Sequence, residues 1–118
     1  MPAGITDVLE ELVTRIAGTG LPASHTVGGV VVPGVWVHAL TYEPLSINGS
    51  TAKLDVAVDL LAPDVDEVTA LTELDRMLDL ALTVIRPSGK VETDNAIDFP
   101  SGALPSFRIP ITVTYTKE

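Results

Sequence analysis

Polar and apolar positions alternate with two different periods along the chain, and the switches between them mark its elements. Ile5, Val8, Leu9, Leu12, Val13 and Ile16 recur at steps of three and four, which places them on one helix face. Thr6 is the expected N-cap, Asp7, Glu10 and Glu11 suit the positive end of the helix dipole, and Gly18 or Gly20 supplies the stop. Two β-rich runs follow, 26–32 and 35–42, divided by Pro33-Gly34. In the second, Trp36, His38, Leu40 and Tyr42 point one way and Val35, Val37, Ala39 and Thr41 the other. Neither set is polar, so the spacing predicts a strand buried on both faces.

Asn48-Gly49 is the preferred pair for a type I′ hairpin turn. Beyond it Leu54, Val56, Val58 and Leu60 alternate with Lys53, Asp55, Ala57 and Asp59, predicting one dry and one wet face. Pro63 closes that strand. Asp64 as N-cap with Glu67 three residues on opens a second helix. Its inner stripe reads as Val68, Leu71, Leu74, Leu78, Ala81, Leu82 and Ile85, widened by Met77, Leu80 and Val84, with a stop at 86–89. A loop-rich stretch with a short strand around Val91 leads to a last strand, in which Phe107, Ile109, Ile111, Val113 and Tyr115 alternate with polar residues. Pro110 cannot donate to a ladder, so that strand is expected at an edge or with a bulge there.

The expected architecture is therefore α+β, one domain over residues 1–118. It has a mainly antiparallel sheet of four to five strands with two helices on one face, in the order α-β-β-β-α-β-β.

Composition narrows the function more than the fold. Sixteen acidic against seven basic residues give −9, which argues against binding nucleic acid by phosphate neutralisation and against docking on anionic lipid. No cysteine is present, so disulfide and thiolate chemistry are out. The start of the chain has no basic lead into an apolar segment, so no signal peptide is read there. The uncharged stretch 16–42 is punctuated by glycine and proline and reads as strand and turn, not as a membrane span.

Candidate chemistry is sparse. The histidines are His25 and His38; Ser24 and His25 are merely sequence neighbours, and His38 lies in an apolar strand, where a hydrogen-bonded structural role fits better than catalysis. The chain carries no zincin, paired-cysteine, dinucleotide or P-loop pattern. Asp94 and Asp98 lack the further oxygens and central glycine of a calcium loop. No enzyme activity, metal or cofactor is expected.

Taken in order, "VVVPGVWVHALTYEP", "KLDVAVDLLAP", "DVDEVTALTELDRMLDLALTVI" and "LPSFRIPITVTYTKE" resemble the tail terminator proteins of long-tailed phages, particularly those of actinobacterial hosts. The "LDRMLDLAL" text of the second helix and the lead Pro105-Ser106-Phe107-Arg108 into the last strand are part of that likeness. The resemblance implies a structural virion protein, assembled in the host cytoplasm. It would form a ring, usually hexameric, that caps the tail tube at the head-proximal end and offers the surface to which the head attaches. The implied partners are further copies of the chain, a tail-tube protein and a head-tail connector or neck protein, with DNA passing through without specific binding. Another tail or head-closure protein, or a small-molecule-binding α+β domain, are the alternatives.

On this reading Trp36, Leu45, Ile47, Phe99 and Leu104 are candidate interface residues, and Asp55, Asp59, Glu92, Asp94 and Asp98 candidate acids lining the ring's hole. Leu45 and Ile47 sit near a hairpin tip, where apolar side chains either fold back on their own core or form a contact surface.

Overall fold

The computed structural model describes residues 4–26, 29, 31–45, 51–63, 66–99 and 102–116; of Glu67, Asp94, Asn95, Phe99 and Thr116 it describes the backbone alone. The order is α1 (Ile5–Ala17), β1 (Ala23–Ser24), β2 (Gly34–Pro44), β3 (Thr51–Leu61), α2 (Glu67–Ala81), β4 (Glu92–Phe99) and β5 (Gly102–Thr116). This is the expected α-β-β-β-α-β-β sequence of an α+β chain.

The five strands form one sheet in the order β1-β2-β3-β5-β4. Its pairs are antiparallel except β1–β2, which is parallel. Leu54, Val56, Val58 and Leu60 of β3 line up with Val113, Ile111, Ile109 and Phe107 of β5, and this face meets both helices. From α1 it receives Val8, Leu9, Leu12 and Ile16; from α2, Ala70, Leu74, Met77 and Ala81. Burial of these aliphatic side chains, each contributing about 1.5–3 kcal/mol, drives the fold.

The helix boundaries differ from the sequence reading. Gly4, not Thr6, is the N-cap of α1: its backbone N–H donates to Asp7 Oδ2 at 3.0 Å, so the first-turn acid does the capping. The turn after the helix is completed at Gly20, whose φ of 95° suits glycine. In α2 the N-cap is Asp66, whose carboxylate accepts from Thr69 N at 2.9 Å; Asp64 lies outside the described residues. The helix ends at Ala81, several residues before the expected stop.

The inner stripe of α2 is also rotated from the expected one. Val68, Leu71 and Leu82 are exposed, while Ala70, Leu74, Met77, Ala81 and Ile85 face the sheet. Leucine and valine occur nearly all round this helix, so periodicity alone could not select the buried arc.

The first strand lies earlier in the chain than the sequence predicts. The short strand is Ala23–Ser24, and no strand occurs among the described residues of 25–33. β2 starts at Gly34, where a Cβ would collide with the Val31 carbonyl oxygen.

The loop-rich region, where a short strand is expected around Val91, holds the eight-residue β4, which pairs with β5 from Glu92–Arg108 to Phe99–Gly102. Its polar text hid its length, because this hairpin runs past the end of β3 and away from the core. Pro110 pairs with Ala57 on the β3 side and accepts from Ser88 N at 2.7 Å on the other, beyond the end of β4. β5 is thus internal to the sheet but locally an edge at Pro110, which satisfies the constraint set by its missing donor.

Candidate functional site

Two features of the sheet stand out: a polar cluster on the face away from the helices, and the outer side of β2. One irregularity runs between them. The β2–β3 register shifts between Ala39 and Thr41. Before the shift Trp36 and His38 lie opposite Asp59 and Ala57; after it Thr41 lies opposite Asp55 and Tyr42 opposite Leu54. The extra residue reverses the alternation. Tyr42 joins the helix side and Thr41 the polar side, the reverse of the simple period-two reading.

The predicted two-sided burial of β2 is not found: Val35 and Val37, on the helix side, are buried, Trp36 and His38 on the other face are half-buried, and residues 39–44 are exposed.

Asp59 is the centre of the polar cluster. It is fully buried, although the alternation of β3 placed it on the wet face. Its Oδ1 accepts from Arg108 Nε at 2.9 Å and its Oδ2 from the second guanidinium nitrogen at 3.1 Å, a bidentate bond between cross-strand neighbours. His38 Nε2 lies 2.5 Å from Oδ2. A carboxylate can only accept, so this nitrogen carries the proton. Trp36 stacks on the His38 ring, centroids 3.8 Å apart and planes inclined by 16°. Burial alone would raise the Asp59 pKa; the hydrogen bonds from His38 and Arg108 and their charges outweigh it and hold Asp59 below the usual carboxylate range. Arg108 is raised in turn, first by its bond to Asp59 and in smaller part by Glu92 across the β4–β5 pair.

This arrangement ties β2, β3 and β5 together. Among the described residues no hydroxyl is hydrogen-bonded to His38. No group of three or more His, Asp or Glu side chains there could hold a metal ion.

Further along the same face, Asp55 accepts from Thr41 at 2.8 Å and from Thr112 at 3.0 Å. Those two bonds, in that order, lower its pKa. Asp59 therefore cannot serve as a lining acid, because it is neutralised and shielded from solvent. Asp55 keeps its charge at the surface but is tied down by two threonines. Glu92 and Asp98 are exposed, and the Asp94 side chain lies outside the described residues.

Among the candidate interface residues, Leu45 is 50% exposed, Leu104 half-buried, and Trp36 half-buried under its histidine stack. Ile47 and the Asn48-Gly49 turn lie outside the described residues, as does the Phe99 side chain. Leu45 N donates to Thr51 O at 2.8 Å, closing the hairpin below its loop. Leu40, which the alternation placed in a buried strand, is 48% exposed beside the register shift.

The outer side of β2 is the second feature. β1 pairs with it only at Val35 and Trp36, and no further strand flanks residues 37–44 among the described residues. Val35 N donates outward to Pro22 O at 2.8 Å. By alternation Ala39 N also points outward, and Pro44, facing the same side, has no donor to leave open. Nothing in the sequence marked this edge, because which strand stands beside β2 is settled only by the shortness of β1.

A cleft of ≈ 350 Å³ lies between the α1–β1 turn and α2, with Leu21, Val31, Met77 and Leu80 in its walls. The charged side chain among its lining residues is Arg76, which is engaged by Glu73. Its described lining residues lack the convergent polar groups that orient a small ligand.

No helix among the described residues is long and apolar enough to cross a membrane. Compared with models of known protein families and with curated proteins, the chain finds no match in either.

Proposed function

We propose that the protein is a structural subunit that works by self-association, and that its assembly is the tail terminator ring implied by the sequence resemblance. On this reading copies of the chain, six in the usual form, cap the tail tube at its head-proximal end and present a joining surface to a connector or neck protein. The protein performs no catalysis and needs no cofactor.

The observation that carries the reading is the open edge of β2. A strand that runs on past its neighbour with Leu40 and Leu45 exposed beside it is a liability in a lone molecule. A head-to-tail contact that adds an edge from the next copy covers it, and such contacts close into rings. The surplus of acids is compatible with a ring through which DNA slides, since a negatively charged hole offers phosphates no cations. Glu92 and Asp98 are the lining candidates whose side chains are exposed.

Negative-stain images of the purified protein, with light scattering across a concentration series, test this. A ring with a central hole is the expected result. A monomer at every concentration, with no ring when tail tubes are added, would overturn it. A filament or a closed dimer would favour another tail or neck role.

A further inference from the structure

We infer that the outer stripe of α2 is a docking site for an amphipathic helix of a different protein, one that carries a lysine or arginine midway along its apolar face. The stripe lies roughly 100° round the helix from the side that meets the sheet, at 3.6 residues per turn. Val68, Leu71 and Leu82 are 74%, 44% and 40% exposed. With Asp75 and the half-buried Leu78, which also packs against the chain's own core, they fall at 68, 71, 75, 78 and, at the C-cap, 82, alternate steps of three and four, which is the seam spacing of one helix laid against another. Isolated exposed leucines need no explanation; an ordered row along one helix does.

Charge selects the occupant. Asp75 stands at the middle of the row, exposed, with no hydrogen-bond or ion-pair partner among the described residues. Arg76, beside it in sequence, is already engaged by Glu73. Laid parallel, α2 of a second copy sets Asp75 against Asp75; laid antiparallel, it sets each Asp75 against Leu71 or Leu78. Either arrangement takes two negative charges out of water with no cation in the row to neutralise them, in a chain already at −9. A partner helix with leucine-like residues around a central cation meets both the apolar ends and the acidic middle. This contact is separate from the β2 edge and does not require a ring.

The probe is a dye-labelled helical peptide of about four turns with leucines at seam spacing and lysines at the centre. A second peptide is identical but has glutamates for the lysines. Fluorescence anisotropy against the whole protein should show saturable binding of the lysine peptide and none of the glutamate peptide. Leu71→Asp and Val68→Asp, both at exposed positions, should each weaken binding about ten-fold or more although each adds attractive negative charge. Asp75→Lys should transfer the preference to the glutamate peptide. Unchanged binding to Leu71→Asp with its thermal transition intact, failure of the lysine peptide to bind wild type, or cross-links joining α2 to α2 in a wild-type dimer would each overturn the inference. Retained peptide binding by a variant that no longer forms rings would support it independently of the assembly.

Discussion

Asp59 and Arg108 face each other across the β3–β5 ladder, with the carboxylate fully buried and bonded bidentately by the guanidinium at 2.9 and 3.1 Å. A charge in that position is tolerable only because Arg108 and His38 both satisfy it. The pair ties together strands that are distant in sequence, on the face that no helix covers.

Removing Arg108 leaves Asp59 buried with only His38 to answer its charge. Arg108→Ala should lower unfolding stability by about 3 kcal/mol in urea titrations. Replacing both residues by leucine should cost markedly less than the single change. Equal costs for the single and double variants would mean that the pair acts through packing alone.

Asp59 also sets an acid limit. Its folded pKa lies below the unfolded value of about 3.9, so the folded state binds fewer protons in that range. The stabilisation is fully present above the unfolded pKa and is lost as the pH falls through the folded one. Stability measured from pH 6 down to 2 should therefore fall less steeply below about pH 4 in Asp59→Asn than in wild type. Parallel curves would remove Asp59 from the account.

The rotation of α2 can be checked with two leucines. Leu74→Ala empties a buried position and should cost about 2–5 kcal/mol. Leu71→Ala, at an exposed position, should change stability by less than about 1 kcal/mol. Comparable losses at the two sites would contradict the observed orientation.

Ala39→Pro removes an outward backbone donor from the open edge of β2 without touching an inward one. Under the proposed function it should abolish assembly while the far-ultraviolet dichroism of the chain is kept. Rings that persist in this variant would place the subunit contact elsewhere.

The acids of the proposed hole give a separate test. Glu92→Lys with Asp98→Lys should leave particles intact but slow DNA ejection, if these side chains line the passage. Normal ejection from normal particles would mean that the charge serves solubility only.

The sequence by itself determined the α+β class, the order of elements, the dry face of β3 and β5, and the inner face of α1. In these segments local period and burial agree, since a side chain's direction follows from its place in a regular helix or strand. Leu54 to Leu60 and Phe107 to Ile111 could be assigned on that basis alone. Only the tertiary structure decided the rest. The register shift between Ala39 and Thr41 reverses every side chain beyond it, and nothing local announces an extra residue in one strand of a pair. The buried arc of α2 depended on which of many apolar residues met the sheet. Asp59 looked like a solvent-facing acid because its partners, His38 and Arg108, lie 21 and 49 residues away. The length of β4 was hidden because a strand that leaves the core need not alternate. In each case the missing information was the identity of a neighbour distant in sequence, and that is settled only when the sheet has formed.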